Sequence, residues 1–156
     1  MRYDKGPLGA IIDEYERTAD EFIRVISAID PSVYAVILDP ESPDKECRSI
    51  QGICWHVLLA GYAYANAIRT KFALAVSTPD RSYPTHAEFP SRIHTMLSFT
   101  DESLSGLYEM KDDELTATNI PVRWSDHHDL EALMEHAVVH VLRHRRQVER
   151  LLNSMP

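Results

Sequence analysis

Three histidines stand four residues apart late in the chain, His136, His140 and His144, inside an apolar pattern of helical period. In an α-helix, residues i and i+4 share a face about one turn apart, so two neighbouring imidazoles can converge on one metal ion. The surrounding stripe ranks the pairs. Leu130, Met134, Ala137, Val141, His144, Val148 and Leu151 recur at alternating four- and three-residue spacing, as in a helix packed on a core. His144 lies in that stripe, His140 sits roughly 40° from His144, and His136 roughly 80° away near the solvent rim. This favours His140 with His144, and His136 with His140 stays open as an alternative pair. His56 flanks a second apolar stripe, three residues after Ile53 and four before Ala60, and supplies a third nitrogen from another helix. One at a time, such histidines read first as hydrogen-bonded packing residues. The i,i+4 pair plus a remote partner brings the metal reading level with that one.

The remaining chemistry-bearing residues read more plainly. His127 and His128 are polar residues of the start of the last helix, with His128 roughly 24 Å along the axis from His144 and unable to share its ion. His86 and His94 read as surface residues. Cys54 lies about 200° around its helix from His56 and reads as core. Asp20, Glu21 and Glu135 are carboxylates that could back a ligand or act as a base, although they read first as solvated charges and the spacing selects none. Arg143 and Arg145 could attract a carboxylate-bearing substrate, but basic residues near a helix C-terminus are expected for stability alone. No Ser-His-Asp or Cys-His arrangement suggests a protein nucleophile.

Four helices must position these groups. Leu8, Ile12, Tyr15, Ala19, Phe22, Ile26 and Ile29 mark helix one, which ends before Asp30-Pro31. Residues 33–38 are apolar enough to pack as a short turn on the core. Helix two starts near Cys47 and buries Ile50, Ile53, Val57, Ala60 or Gly61, Tyr64 and Ile68, with Thr78-Pro79-Asp80 interrupting it. A polar connection through Pro84 leads to Phe89-Pro90-Ser91, the start of helix three, which runs to about Met110 with Gly106 as a weak spot. Residues 112–124 read as an irregular crossing, and Ser125 or Asp126 as the cap of helix four. The expectation is one all-α domain over residues 1–156, a four-helix bundle with long crossing loops. Trp55 and Trp124 read as core or interface, or as a pocket mouth. Tyr62, Tyr64 and Phe72 read as packing, or as an aromatic face for a dimer.

Composition narrows the function classes. A net charge of −8 argues against direct nucleic-acid binding, which rests on Lys and Arg neutralising phosphates. The two cysteines, Cys47 and Cys54, form neither a CxxC pair nor a disulfide framework, and the N-terminus lacks a basic-then-apolar signal. A cytoplasmic protein is expected. The longest apolar stretch, 57–68, is too short to span a bilayer, so no membrane role is expected.

The segment His140-Val-Leu-Arg-His144-Arg145-Arg146-Gln147-Val148 resembles the last-helix motif H-x-x-x-H-R-G-Q-[IV] of the DinB/YfiT-like metalloenzyme family. Ser49-Ile50-Gln-Gly-Ile53-Cys-Trp55-His56-Val57-Leu58 is similar to the family's helix-two segment ending in its first metal-binding histidine. Arg146 departs from the pattern, standing where the family often has Gly. The resemblance covers essentially the whole chain and implies the family's four-helix bundle, binding one divalent ion, zinc or nickel, through His56, His140 and His144. It further implies a small-molecule substrate, a thiol S-transferase activity using a low-molecular-weight thiol, and a homodimer. Metal-dependent hydrolysis is the alternative enzyme reading, and a metal-free, stress-related scaffold the non-enzymatic one.

Overall fold

Leu8, Ile12, Tyr15, Ala19, Phe22 and Ile26 are all buried on one face of α1 (Gly6–Ser27), which opens with a proline in its first turn. The computed structural model describes residues 3–122 and 125–155, and these are mostly helical. After α1 the Asp30 carboxylate accepts from the Ser32 amide at 2.8 Å and starts the short α2 (Pro31–Tyr34). Only part of 33–38 packs as expected. Tyr34 is buried, whereas Val36 and Ile37 are 48% and 63% exposed. Backbone pairing holds this stretch: Ile37 bridges Ser49, and the Leu38 amide donates to Arg48 O at 2.9 Å.

Helix two of the sequence reading is a 3-10 turn, Lys45–Arg48, followed by α3 (Ile50–Lys71). Ser49 separates them and caps α3, its hydroxyl accepting from the Gly52 amide at 3.0 Å. Gly52 makes the arrangement possible, since a Cβ there would lie 1.9 Å from the Glu46 carbonyl oxygen. Gly61, not Ala60, belongs to the buried stripe of α3.

The helix stops at Lys71, well before Thr78. Residues 72–88 then fold back along α3, whose polar side chains bind their backbone. Asn66 Nδ2 donates to Ser77 O at 2.8 Å and Asn66 Oδ1 accepts from the Ser77 amide at 2.9 Å. Gln51 Nε2 donates to Pro84 O at 3.1 Å and Trp55 Nε1 to Arg81 O at 2.8 Å.

The fourth α-helix, α4 (Phe89–Leu104), has Pro90 in its first turn as expected, but ends two residues before Gly106 instead of continuing to Met110. Glycine disfavours continuation, and residues 105–109 are turns. The crossing 112–124 is more regular than its sequence suggests. It contains α5 (Asp112–Thr116) and β1 (Ile120–Val122), which pairs antiparallel with β2 (Ser125–His128). Because 125–128 are extended, neither Ser125 nor Asp126 caps the final helix. Asp129 does, accepting from the Ala132 amide at 2.7 Å at the start of α6 (Leu130–Asn153). Trp124 lies outside the described residues.

The four long helices share one core. α1 packs on α6 and α4, and α3 packs on α4 and α6. The helix carrying His56 is therefore a neighbour of the helix carrying His140 and His144. At the α3–α4 contact a Cβ on Gly61 would sit 2.3 Å from Met96 Sδ. No helix among the described residues is long and apolar enough to cross a membrane.

Gly61→Ala should lower stability by about 1–3 kcal/mol through overpacking against the fully buried Met96, despite the better helix propensity of Ala. Gly106→Ala, where an added Cβ meets nothing within 4 Å, should be neutral or stabilising by up to about 1 kcal/mol. Urea midpoints of the two variants check this, and equal shifts in the same direction would contradict it.

Candidate functional site

His140 and His144 are buried on α6, 7% and 5% exposed, and face His56 on the neighbouring α3. His56 Nε2 lies 3.2 Å from His140 Nε2. The ring centroids of His56 and His144 are 4.8 Å apart, and those of His140 and His144 4.4 Å. One ring nitrogen from each histidine falls within 4.8 Å of the other two. Tetrahedral zinc with Zn–N bonds of about 2.0–2.1 Å places its nitrogens about 3.3 Å apart, so the group needs only a small contraction to hold an ion.

The hydrogen bonds behind the rings fix which nitrogen carries the proton. His56 Nδ1 faces Glu46 Oε2 at 3.2 Å, and His144 Nδ1 faces Gln147 Oε1 at 2.9 Å. Both oxygens can only accept, so each Nδ1 donates and, in the neutral rings, each Nε2 keeps its lone pair. The pairing is what ligating histidines require, because the outer partner orients the ring and raises its basicity. Without an ion, His140 Nε2–H can donate to His56 Nε2. His144 Nε2 is buried and has no hydrogen-bond partner among the described residues. An orphaned buried acceptor is costly unless something else occupies it, and a metal ion fits its chemistry.

Charge state supports the same fit. Burial, followed by the neighbouring His144 and His56, pushes the His140 pKa down to about 3. Burial also dominates for His144, lowering it to about 4 against the opposing effect of the hydrogen bond that its Nδ1–H donates to Gln147. Both rings are therefore neutral at pH 7, the form that coordinates metal.

Other expectations fare unevenly. His136 is half-buried outside this group, its ring 6.3 Å from His140 and edge-on to Tyr64 at 5.7 Å. His127 and His128 lie in strand β2 instead of the start of a helix, and the His128 ring sits 6.1 Å from His136. His86 is no surface residue: its Nε2 donates to Ile26 O at 2.8 Å and its ring meets Tyr34 edge-on at 5.3 Å, tying 72–88 to α1. His94 is exposed, 3.7 Å from Asp20. Trp55 stacks on Tyr83 at 4.9 Å, on the side of α3 covered by the long connection. Tyr62 and Tyr64 pack, the first of their two readings: Tyr62 lies on Phe99 from α4 and Tyr64 is buried against His136 and His140.

Asp20, Glu21 and Glu135, which the sequence offered without selecting one, do not back a ligand. Glu21 is engaged by Arg17 and Arg145, Asp20 faces His94, and Glu135 is exposed. The backing carboxylate is Glu46, delivered by the 3-10 turn that presses on Gly52. Its one signal in the sequence is that glycine in the first turn of an otherwise apolar helix. Cys54 is fully buried, as read. Cys47, Asp44 and His56 form a second close group, but burial first and Asp44 next push the Cys47 thiol up to about 12, so it stays protonated.

No protein-family model, curated protein or solved structure matches the chain.

The depressed pKa values set a pH dependence. Between about pH 6.5 and pH 4 the unfolded chain binds protons on His140 and His144 that the folded chain refuses, so stability falls as pH drops through that window. Each histidine should contribute a slope of roughly 1.4 kcal/mol per pH unit in chelator-treated protein. Denaturation from pH 7 to pH 4 should show a shallower slope in a His140→Leu, His144→Leu variant; identical slopes would remove the assignment of neutral buried imidazoles.

Proposed function

We propose that His56, His140 and His144 bind one divalent ion, zinc or nickel, and that the chain is a metal-dependent enzyme of the DinB/YfiT-like four-helix-bundle type, a thiol S-transferase. The observation that carries the reading is the orphaned Nε2 of buried His144, aimed into a group whose other two nitrogens lie 3.2 Å apart. An ion held by His56, His140 and His144 would supply Lewis acidity that lowers the pKa of a bound thiol or water.

The chain's own residues do the rest. Glu46 and Gln147 hold His56 and His144 in the tautomer that directs Nε2 inward. Tyr64 packs edge-on to His140 at 5.8 Å and walls that side of the site from solvent. Neither cysteine is an activated nucleophile, because burial raises both thiols. The attacking sulfur is therefore assigned to a small-molecule thiol, and a family-type homodimer belongs to the same proposal. The metal-free scaffold reading draws on one observation, the His56–His140 contact, which satisfies two of the three rings without an ion. It leaves His144 Nε2 unaccounted for.

Metal content of protein purified without an affinity tag should be close to one equivalent of zinc or nickel. It should be lost in a folded His140→Ala, His144→Ala variant. Glu46→Gln should stay folded and weaken metal affinity about 10- to 100-fold. A folded wild type that takes up neither metal on addition would end the metalloenzyme reading.

A further inference from the structure

Of the four arginines of α6, Arg150 stands in the last turn, where the helix dipole favours it, and the other three divide into two kinds. Arg145 is engaged by Glu21 and lies 3.5 Å from Glu149, and Arg146 lies 3.1 Å from Glu149. Arg143 is exposed and makes no ion pair or hydrogen bond among the described residues. Helix stability does not account for it. A cation complements the helix dipole only in the last turn, and Arg143 stands ten residues before the end of α6 at Asn153.

Its place on the helix points to the histidine site. Arg143 follows His140 by three residues and His136 by seven, so its stem leaves α6 roughly 60° and roughly 20° from theirs. It is at the rim of the face that His140 turns to α3. Its charge reaches the whole cluster, acting on His136, His140, His144, Tyr64 and Cys47. Imidazole ligands bring no charge to a divalent ion, and the negative groups beside the site are Glu46, behind His56, and Asp44, whose carboxylate lies within 4.8 Å of a His56 ring nitrogen and acts on His144. The Arg143 guanidinium, which has no partner among the described residues, adds a positive charge on the rim that an incoming anion can pair with directly.

We infer that Arg143 receives a carboxylate of the small molecule that binds at the three-histidine site, making that molecule a metal-binding ligand with a second, anionic end. This rests on the metal reading above. A lone guanidinium matches one planar carboxylate through two parallel hydrogen bonds. Arg145, the other candidate from the sequence, is already occupied.

A matched pair of thiols tests the inference. N-acetylcysteine carries a carboxylate and N-acetylcysteamine lacks it, and each can be titrated into cobalt(II)-loaded protein while the thiolate-to-cobalt absorption is read. Wild type should bind N-acetylcysteine about tenfold or more tightly than N-acetylcysteamine. Arg143→Gln should bring that ratio close to one without changing the affinity for N-acetylcysteamine, and Arg143→Lys should keep part of it. Equal affinities in wild type, or an unchanged ratio in Arg143→Gln, would overturn the inference and leave the metal site standing. Cobalt uptake with no absorption band from either thiol would overturn both this inference and the thiol reading. Failure to take up cobalt would instead remove the metal reading on which it rests.

Discussion

His140 and His144, buried beside each other in a helical core, can coexist only if they stay uncharged, and much of the local structure serves that requirement. Two positive rings a few ångströms apart, out of reach of bulk water, would repel each other strongly, so burial and proximity both hold His140 and His144 neutral. Neutral imidazole brings its own demand, because each ring must find one acceptor for its N–H and one use for its lone pair. Glu46 and Gln147 meet the first demand for His56 and His144. The second demand is met only in part by protein, at the His56–His140 contact. The neighbouring placement of α3 and α6, the turn at 45–48 and the glycine that admits it all follow from bringing these three rings together.

What could be read in the sequence was whatever a helical period encodes. The stripe from Leu8 to Ile26 and the rotation that sorts His144, His140 and His136 are properties of one helix at a time, and the structure keeps them. What could not be read depends on contacts between segments. Glu46 lies ten residues before His56, off the helix and in a turn, so no periodicity links them; the link is the close approach at Gly52. The cap of α6 moved to Asp129 because 125–128 are drawn into pairing with 120–122, which outweighs the capping preference of a nearby serine. His86 reads as a surface residue within a polar stretch, yet the Ile26 carbonyl at the end of α1, which also accepts from the Ile29 amide, captures it.

The long connection between α3 and α4 shows how the site is kept on one side of α3. Trp55 and His56 are adjacent, and consecutive residues of a helix point about 100° apart. One step therefore separates the face that meets α6 from the face that carries the connection. Asn66, Gln51 and Trp55 bind its backbone at Ser77, Pro84 and Arg81. Those bonds fix 72–88 away from the histidines, so a stretch that leaves Leu74, Val76 and Tyr83 exposed gains order from α3 while leaving the α3–α6 seam to the site.

Charge is distributed with comparable economy. The chain carries a net −8, and at long range such a protein repels anions. Salt limits that effect to about 8 Å under physiological conditions, so what an approaching molecule meets inside the seam is set by the nearest groups. Glu21 and Glu149 neutralise Arg145 and Arg146, which removes their positive charge from the surroundings of the site. Arg143 is left as the cation whose field bears on His136, His140 and His144 together. The consequence is a short-range preference for anions on a molecule that is acidic overall: the site discriminates by contact, at the distance where a carboxylate and a guanidinium can pair, and gains nothing from attraction at a distance.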